Sequence, residues 1–304
     1  MPTSIAEAIL QGAPYLRKAG VPEARREAGS LLAHVIGRDR TFILSHADEQ
    51  ISEAQLQEFR RTLHLRAGGQ PLQYITGQQE FFGLDFEVTS DVLIPRPETE
   101  LLVETALKLV THAGVAPLIC DVGTGSGCIV VTLLHELRKL RNYPEARAVA
   151  IDVSEAALVV ARRNAARHSV SEGIRFVLSD RFAALADRDN GNQGSSHREL
   201  FDLIVSNPPY VADGAMSGLQ REVRDFEPRL ALEAGVDGLS VISRLVEEAG
   251  DFLKTGGHFV FEIGFDQRQA VEELVDQKVW KLLGIYFDLQ GIPRTVALEK
   301  LGPN

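Results

Sequence analysis

A strand that runs into a glycine-rich turn and then into a helix leaves a chain few folds to adopt. Residues 118–122, Leu-Ile-Cys-Asp-Val, form the short apolar run expected of a buried strand. Gly123-Thr124-Gly125-Ser126-Gly127 follows directly, and residues 128–137 carry apolar side chains at helical spacing. In such a unit the glycines let backbone approach a ligand at the helix N-terminus. The pattern recurs. Residues 148–152 form a second strand ending in Asp152, and Ser154 is placed to cap a helix over about 155–167. A third strand, 174–178, ends at Ser179-Asp180. Alternating strands and helices build a parallel sheet, and open sheets of this kind bind ligands beyond the carboxyl ends of their strands. Asp121, Asp152 and Asp180 lie at those ends of three successive strands. Each alone reads equally as a helix cap or a solvated strand end; the three together point to a ligand.

The loop spacing is G-x-G-x-G, whereas dinucleotide sites use G-x-G-x-x-G. Asp121, two residues before the first glycine, would repel a pyrophosphate and attract a cation. S-adenosylmethionine has an ammonium, a sulfonium and no phosphate. Asp152 could accept from both ribose hydroxyls, and Asp180 from an adenine amino group. After a fourth strand, 201–206, comes Asn207-Pro208-Pro209-Tyr210. Two prolines fix two φ angles and remove two N–H groups, and Asn207 is held extended because it precedes a proline. This stiff loop offers an amide oxygen, free carbonyls and a ring. These suit a planar –NH2 group, with acceptors for its two N–H bonds and a face to stack on; the loop also reads as a plain turn after a strand.

Asp121 to Gly127, Asp152, Asp180 and Asn207 to Tyr210, in this order, resemble the class I S-adenosylmethionine-dependent methyltransferases acting on amino or amide nitrogen. The chain is more narrowly similar to the protein-(glutamine-N5) methyltransferases that modify peptide chain release factors. That similarity rests on Pro71-Leu72-Gln73-Tyr74-Ile75-Thr76-Gly77, Phe81-Phe82-Gly83-Leu84, Leu93-Ile94-Pro95-Arg96-Pro97-Glu98-Thr99-Glu100, Phe226-Glu227-Pro228 and Phe261-Glu262-Ile263-Gly264. The resemblance implies an α/β fold, a Rossmann-like seven-stranded methyltransferase domain whose final strand is antiparallel beside the fifth. It implies S-adenosyl-L-methionine as donor, S-adenosyl-L-homocysteine as product, and the glutamine of a Gly-Gly-Gln motif in release factors as substrate. By the same resemblance Asn207, Pro208 and Tyr210 are catalytic. Asp121, Gly123, Thr124, Gly125, Gly127, Asp152, Asp180, Arg181 and Asn207 hold the cofactor. Pro209, Arg96 and Glu98 join Asn207, Pro208 and Tyr210 in contacting the substrate. Arg96-Pro97-Glu98 also reads as a helix start, with Pro97 in the first turn and Glu98 favouring the dipole. Glu227 and Glu262 either line the pocket or complete the fold. The competing readings are an enzyme that methylates adenine N6 or guanine N2 in nucleic acid, and a degenerate binding module.

The organisation expected is a helical domain at 1–77 that docks the protein substrate, a β-hairpin linker at 78–97, and the methyltransferase domain at 98–304. Residues 82–88 and 92–94 alternate as strands around a turn at Thr89-Ser90-Asp91. Residues 187–196, rich in Asp, Asn, Gly and Ser, read as a loop. The net charge of −10 disfavours a broad nucleic-acid surface, which needs clustered Lys and Arg. The two cysteines, Cys120 and Cys128, read as buried free thiols, as in a reducing cytosol. No signal peptide is visible and no apolar run approaches ~18 residues, so the expected location is cytoplasmic and the expected state a monomer. The eight histidines are scattered, and no metal site is read from them.

Overall fold

The structure is a computed structural model that describes residues 3–110, 115–139, 143–186 and 199–302. The loop expected at 187–196 lies outside the described residues. From the amino end the elements are β1 (Thr3–Ser4), α1 (Ile5–Lys18), α2 (Ala24–Ile36), α3 (Arg40–Ser45), β2 (Gln50–Ile51), α4 (Glu53–Ala67) and α5 (Leu72–Thr76). Capping boxes start α1, through Ser4 and Glu7, and α4, through Ser52 and Gln55. Helix α2 starts at Ala24, and Glu23 precedes it at φ 47°. Leu16, Leu31, Leu32, Phe59 and Leu63 form the core of these helices. A Cβ on Gly12 would sit 3.0 Å from side-chain atoms of Phe59 and Leu63, so glycine there lets α1 lie close to α4. Gly68-Gly69-Gln70, which repeats the tripeptide named above, closes α4: Gly68 is its C-cap and the Gln70 carbonyl accepts from Arg66.

Next come β3 (Gln78–Phe81) and β4 (Leu84–Glu87), a two-stranded sheet. Their turn falls at Phe82-Gly83, where φ is 54° and 74°. This corrects the expected hairpin. Thr89-Ser90-Asp91 does form a turn, closed by Val92 N–H to the Thr89 carbonyl, but no strand follows it. The remaining elements are α6 (Glu100–Val110), β5 (Leu118–Val122), α7 (Cys128–Lys139), β6 (Arg147–Asp152), α8 (Glu155–Arg167), β7 (Ile174–Leu178), α9 (Ala183–Ala186), β8 (Phe201–Ser206), α10 (Arg221–Phe226), α11 (Ser240–Ala249), β9 (Leu253–Glu262), α12 (Arg268–Leu274), β10 (Trp280–Phe287) and β11 (Pro293–Lys300).

Seven of these strands form one sheet in the order β10-β11-β9-β8-β5-β6-β7. Neighbours from β9 to β7 run parallel, and β11 is antiparallel to both β9 and β10. The sheet is buried on both faces, as parallel sheets require. Along β5 and β6 the side chains alternate: Ile119, Ala148 and Ala150 enter one core with Val130 and Leu133 of α7, while Cys120 and Val149 enter the other with Leu245 of α11. Both cysteines are buried free thiols. In register, Asp121 lies opposite Ala150 and Val205, Asp152 opposite Leu178, and Ser206 opposite Phe261. Asp121, Asp152, Asn207 and Glu262 therefore collect at one edge.

The chain forms two compact units. One is Met1–Gln78 with Leu219–Phe226; the other is Gln79–Gly218 with Glu227–Asn304. Helix α10 thus belongs with the amino-terminal helices, a departure from a continuous division of the chain. Its Glu222 pairs with Arg66 of α4 at 2.8 Å. Among the described residues no helix is long and apolar enough to cross a membrane.

Candidate active site

At the carboxyl edge of the sheet lies a cavity of about 420 Å³, ordinary for a small-molecule site. Gly123, Thr124, Gly125, Asp152, Asp180 and Arg181 line it, together with Asn207, Pro208, Pro209 and Arg96. Asp121, Gly127, Glu98 and Tyr210 do not.

The glycine loop takes its shape from the neighbouring strand. Gly123, Gly125 and Gly127 have φ of 76°, 54° and 80°, a region that favours glycine. The N–H groups of Gly123 and Thr124 both donate to the Ile151 carbonyl, at 2.8 and 2.9 Å. Gly125 N–H donates to Asp152 Oδ2 at 2.8 Å, and Ser154 N–H to Oδ1 at 2.9 Å. Each Asp152 oxygen keeps a further lone pair for a ligand hydroxyl. Burial raises the pKa of this carboxyl, and the Ser154 and Gly125 N–H groups pull it back. Gly127 serves packing: a Cβ there would lie 3.1 Å from that of Ala161 on α8. Asn164 of the same helix ties the Glu87 backbone of β4 to the Ser126 carbonyl of the loop.

Asp121 sits beneath this loop, fully buried. Its Oδ2 accepts from the Thr124 hydroxyl at 2.6 Å, while Oδ1 has no hydrogen-bond partner among the described residues. Burial pushes its pKa up to about 7; Thr124 and the Val130 backbone N–H oppose the rise and the Asp152 charge adds to it. A buried carboxylate oxygen without a partner is costly unless something binds it. Asp180 accepts from Arg181 Nη1 at 2.7 Å, and Arg181 Nε donates to Glu248 at 3.1 Å, so this arginine's charge is already matched.

Asn207 joins a buried relay. Its Nδ2 donates to Thr99 Oγ1 at 3.1 Å, and the Thr99 hydroxyl donates to Glu262 Oε2 at 2.7 Å. The Tyr210 hydroxyl donates to Glu262 Oε1 at 3.2 Å. The Tyr210 ring is half-buried and packs against the core on the α11 side of the sheet. Burial pushes its phenol well above the usual range, and the Glu262 charge adds to this. Gln267 holds the same loop by donating to the Tyr210 carbonyl at 3.1 Å. Burial raises Glu262 to about 7, against the bonds from Thr99 and Tyr210 and the charge of Arg294; the Glu98 charge adds to the rise. Arg96 reaches the cavity wall and pairs with buried Glu227 at 2.6 Å. Glu227 thus acts through Arg96. Thr99, Gln267 and Asn164 carry no signal of their own in the sequence, since each acts on a residue distant along the chain.

Residues 7–77 match the family described as the PrmC N-terminal domain, and residues 117–281 match a methyltransferase domain. The chain is 38% identical over 286 residues to the release factor glutamine methyltransferase of Koribacter versatilis, covering 94% of this chain and 95% of that protein. It is 39% identical to the protein of that name from Cereibacter sphaeroides, over 96% and 97% of the two chains. Identity to the one from Burkholderia pseudomallei is 41%, over 88% and 89%. The chain belongs to the release factor glutamine methyltransferase family.

Proposed function

We propose that this enzyme transfers the methyl group of S-adenosylmethionine to the side-chain N5 of the glutamine in the Gly-Gly-Gln motif of peptide chain release factors. The observation that carries the reading is one cavity bounded by both the glycine loop with Asp152 and the Asn207-Pro208-Pro209 loop. The residues suit the donor. Asp152 has lone pairs left for ribose hydroxyls, the partnerless Oδ1 of Asp121 suits an ammonium directly or through water, and Asp180 suits an adenine amino group. When bound, S-adenosylmethionine supplies an electrophilic sulfonium methyl.

The difficult reactant is the amide nitrogen, whose lone pair is delocalised into its carbonyl. The Asn207 Oδ1 and the Pro208 carbonyl accept its two N–H bonds, localise density on nitrogen and aim the lone pair. Positioning of this kind supplies ~7–11 kcal/mol. Positive charge grows on that nitrogen during transfer, so both acceptors stabilise the transition state more than the ground state. Arg96, fixed by Glu227, borders the same cavity and contacts the substrate. The product amide cation is very acidic, and water takes its proton.

The helical unit docks the folded release factor, and the enzyme works as a cytoplasmic monomer without a stable nucleic-acid partner. Incubating a release-factor fragment with enzyme and isotope-labelled donor, followed by mass spectrometry, tests the reaction. One labelled methyl on the glutamine is expected; an unmodified glutamine overturns it.

A further inference from the structure

The side-chain amide of Asn207 can face its neighbours in two ways, and the two have opposite chemistry. Its oxygen accepts and its nitrogen donates, so only one orientation offers an acceptor to a substrate –NH2 group. The relay behind Asn207 decides between them. In its ionised form, which prevails above about pH 7, Glu262 can only accept, and it takes the Thr99 hydroxyl hydrogen on Oε2 at 2.7 Å and the Tyr210 hydrogen on Oε1 at 3.2 Å. Thr99 has one hydrogen, already donated. Toward Asn207 it can only accept, and the end of the amide that meets it at 3.1 Å must be Nδ2. Oδ1 is the end left for the cavity that Asn207 lines. Hydrogen-bond networks fix amide orientation in this way. Thr99 and Glu262 are each 1% exposed, so water does not readily substitute for either bond. The parallel pairing of β8 with β9 brings Glu262 beside Asn207, because Ser206 lies opposite Phe261.

We infer that Thr99 and Glu262 are positioning residues that lock the Asn207 amide with Oδ1 toward the substrate nitrogen, an inference that rests on the acceptor role proposed for Asn207. With the amide reversed, the –NH2 group of Asn207 would face the –NH2 group of the glutamine, removing an acceptor and opposing two donors.

Four variants test this on the full-length enzyme with a release factor, reading kcat, both KM values, cofactor affinity by calorimetry, and Tm. Thr99→Val keeps the shape and removes the hydroxyl; Thr99→Ser keeps the hydroxyl. Glu262→Gln supplies an –NH2 that can donate to Thr99, turning the hydroxyl toward Asn207 and reversing the amide. Loss of one positioned group typically costs on the order of 10²–10³ in rate, so a reversible misorientation is expected to cost about tenfold or more in kcat for Thr99→Val and for Glu262→Gln. Cofactor affinity should stay within a few-fold, and Thr99→Ser should recover most of the loss. Asn207→Ala separates this inference from the reading beneath it. If Asn207→Ala is inactive while Thr99→Val turns over normally, the positioning role is wrong. Equal losses in Thr99→Val and Thr99→Ser, with parallel losses of cofactor affinity and Tm, reduce the role to packing and overturn it as well. If Asn207→Ala itself turns over normally, the acceptor role of Asn207 fails instead.

Discussion

The two units bury charge in opposite ways. In the helical unit Arg66 is 5% exposed and lies between two acids: its Nε and Nη2 pair with Glu27, and Nη2 pairs with Glu222 at 2.8 Å. Burial works against the guanidinium charge, but the two carboxylates outweigh it and its pKa is raised. In the catalytic unit Asp121 and Glu262 are more deeply buried, and neither makes an ion pair among the described residues. Their side-chain partners are hydroxyls, and burial raises both to about 7. A buried ionic cluster matched in charge is complete and holds elements together. Buried acids short of a cation carry an unmet demand, and active sites are where such groups concentrate. The contrast suggests architecture for the Arg66 cluster and a ligand-facing role for the sheet-edge acids, which the variants below test.

The largest effect expected is on chemistry. Asn207→Ala should lower kcat on the order of 10²–10³-fold, by analogy with the loss of an oxyanion-hole donor. Cofactor affinity measured by calorimetry should change little, and a near-normal kcat would remove Asn207 from the reaction. Arg66→Leu should act on the other side of the contrast. Removing one partner of a fully buried ion pair costs about 3–5 kcal/mol, and the 30% exposure of the Glu222 side chain lowers this to roughly 2–4 kcal/mol. Denaturation should report that loss with cofactor affinity unchanged. A large fall in affinity with stability intact would show that the cluster is not merely architectural. Asp152→Ala should reduce cofactor binding by about 1.5–3 kcal/mol, the worth of hydrogen bonds to a charged group. Unchanged affinity in a titration would place the ribose elsewhere.

Local signals in the sequence carried well into the structure. Apolar runs carrying Asp121 and Asp152, the cap at Ser154, and the stiff Asn207-Pro208-Pro209 loop all depend on neighbours within a few residues. What the sequence hid depends on distant partners. Thr99 meets Glu262 across 163 residues and Asn207 across 108, so no spacing rule points to the relay. The grouping of α10 with the amino-terminal helices includes the pairing of Glu222 with Arg66, far back along the chain. The hairpin turn was obscured for a different reason. Thr89-Ser90-Asp91 carries the stronger turn composition, whereas Phe82 adopts φ 54°, which aromatic residues seldom signal. Tyr210 shows the limit of motif chemistry, because its spacing does not reveal that its hydroxyl turns inward to Glu262.

The claim that Asp121 awaits a cation is tested most directly by the protons exchanged when the cofactor binds. Burial holds Asp121 at about 7 in the free enzyme, and a neighbouring ammonium favours the ionised carboxylate and lowers that value. Binding below pH 7 should therefore expel a proton, and affinity should rise with pH towards about 7 and fall again as the ligand's ammonium loses its proton near about 8. Calorimetry at pH 6.5, where an α-ammonium remains protonated, in buffers of different ionisation enthalpy should show net proton release on binding. In Asp121→Asn the release should vanish and the pH dependence flatten. Identical heats in every buffer, or undiminished release from Asp121→Asn, would contradict the claim.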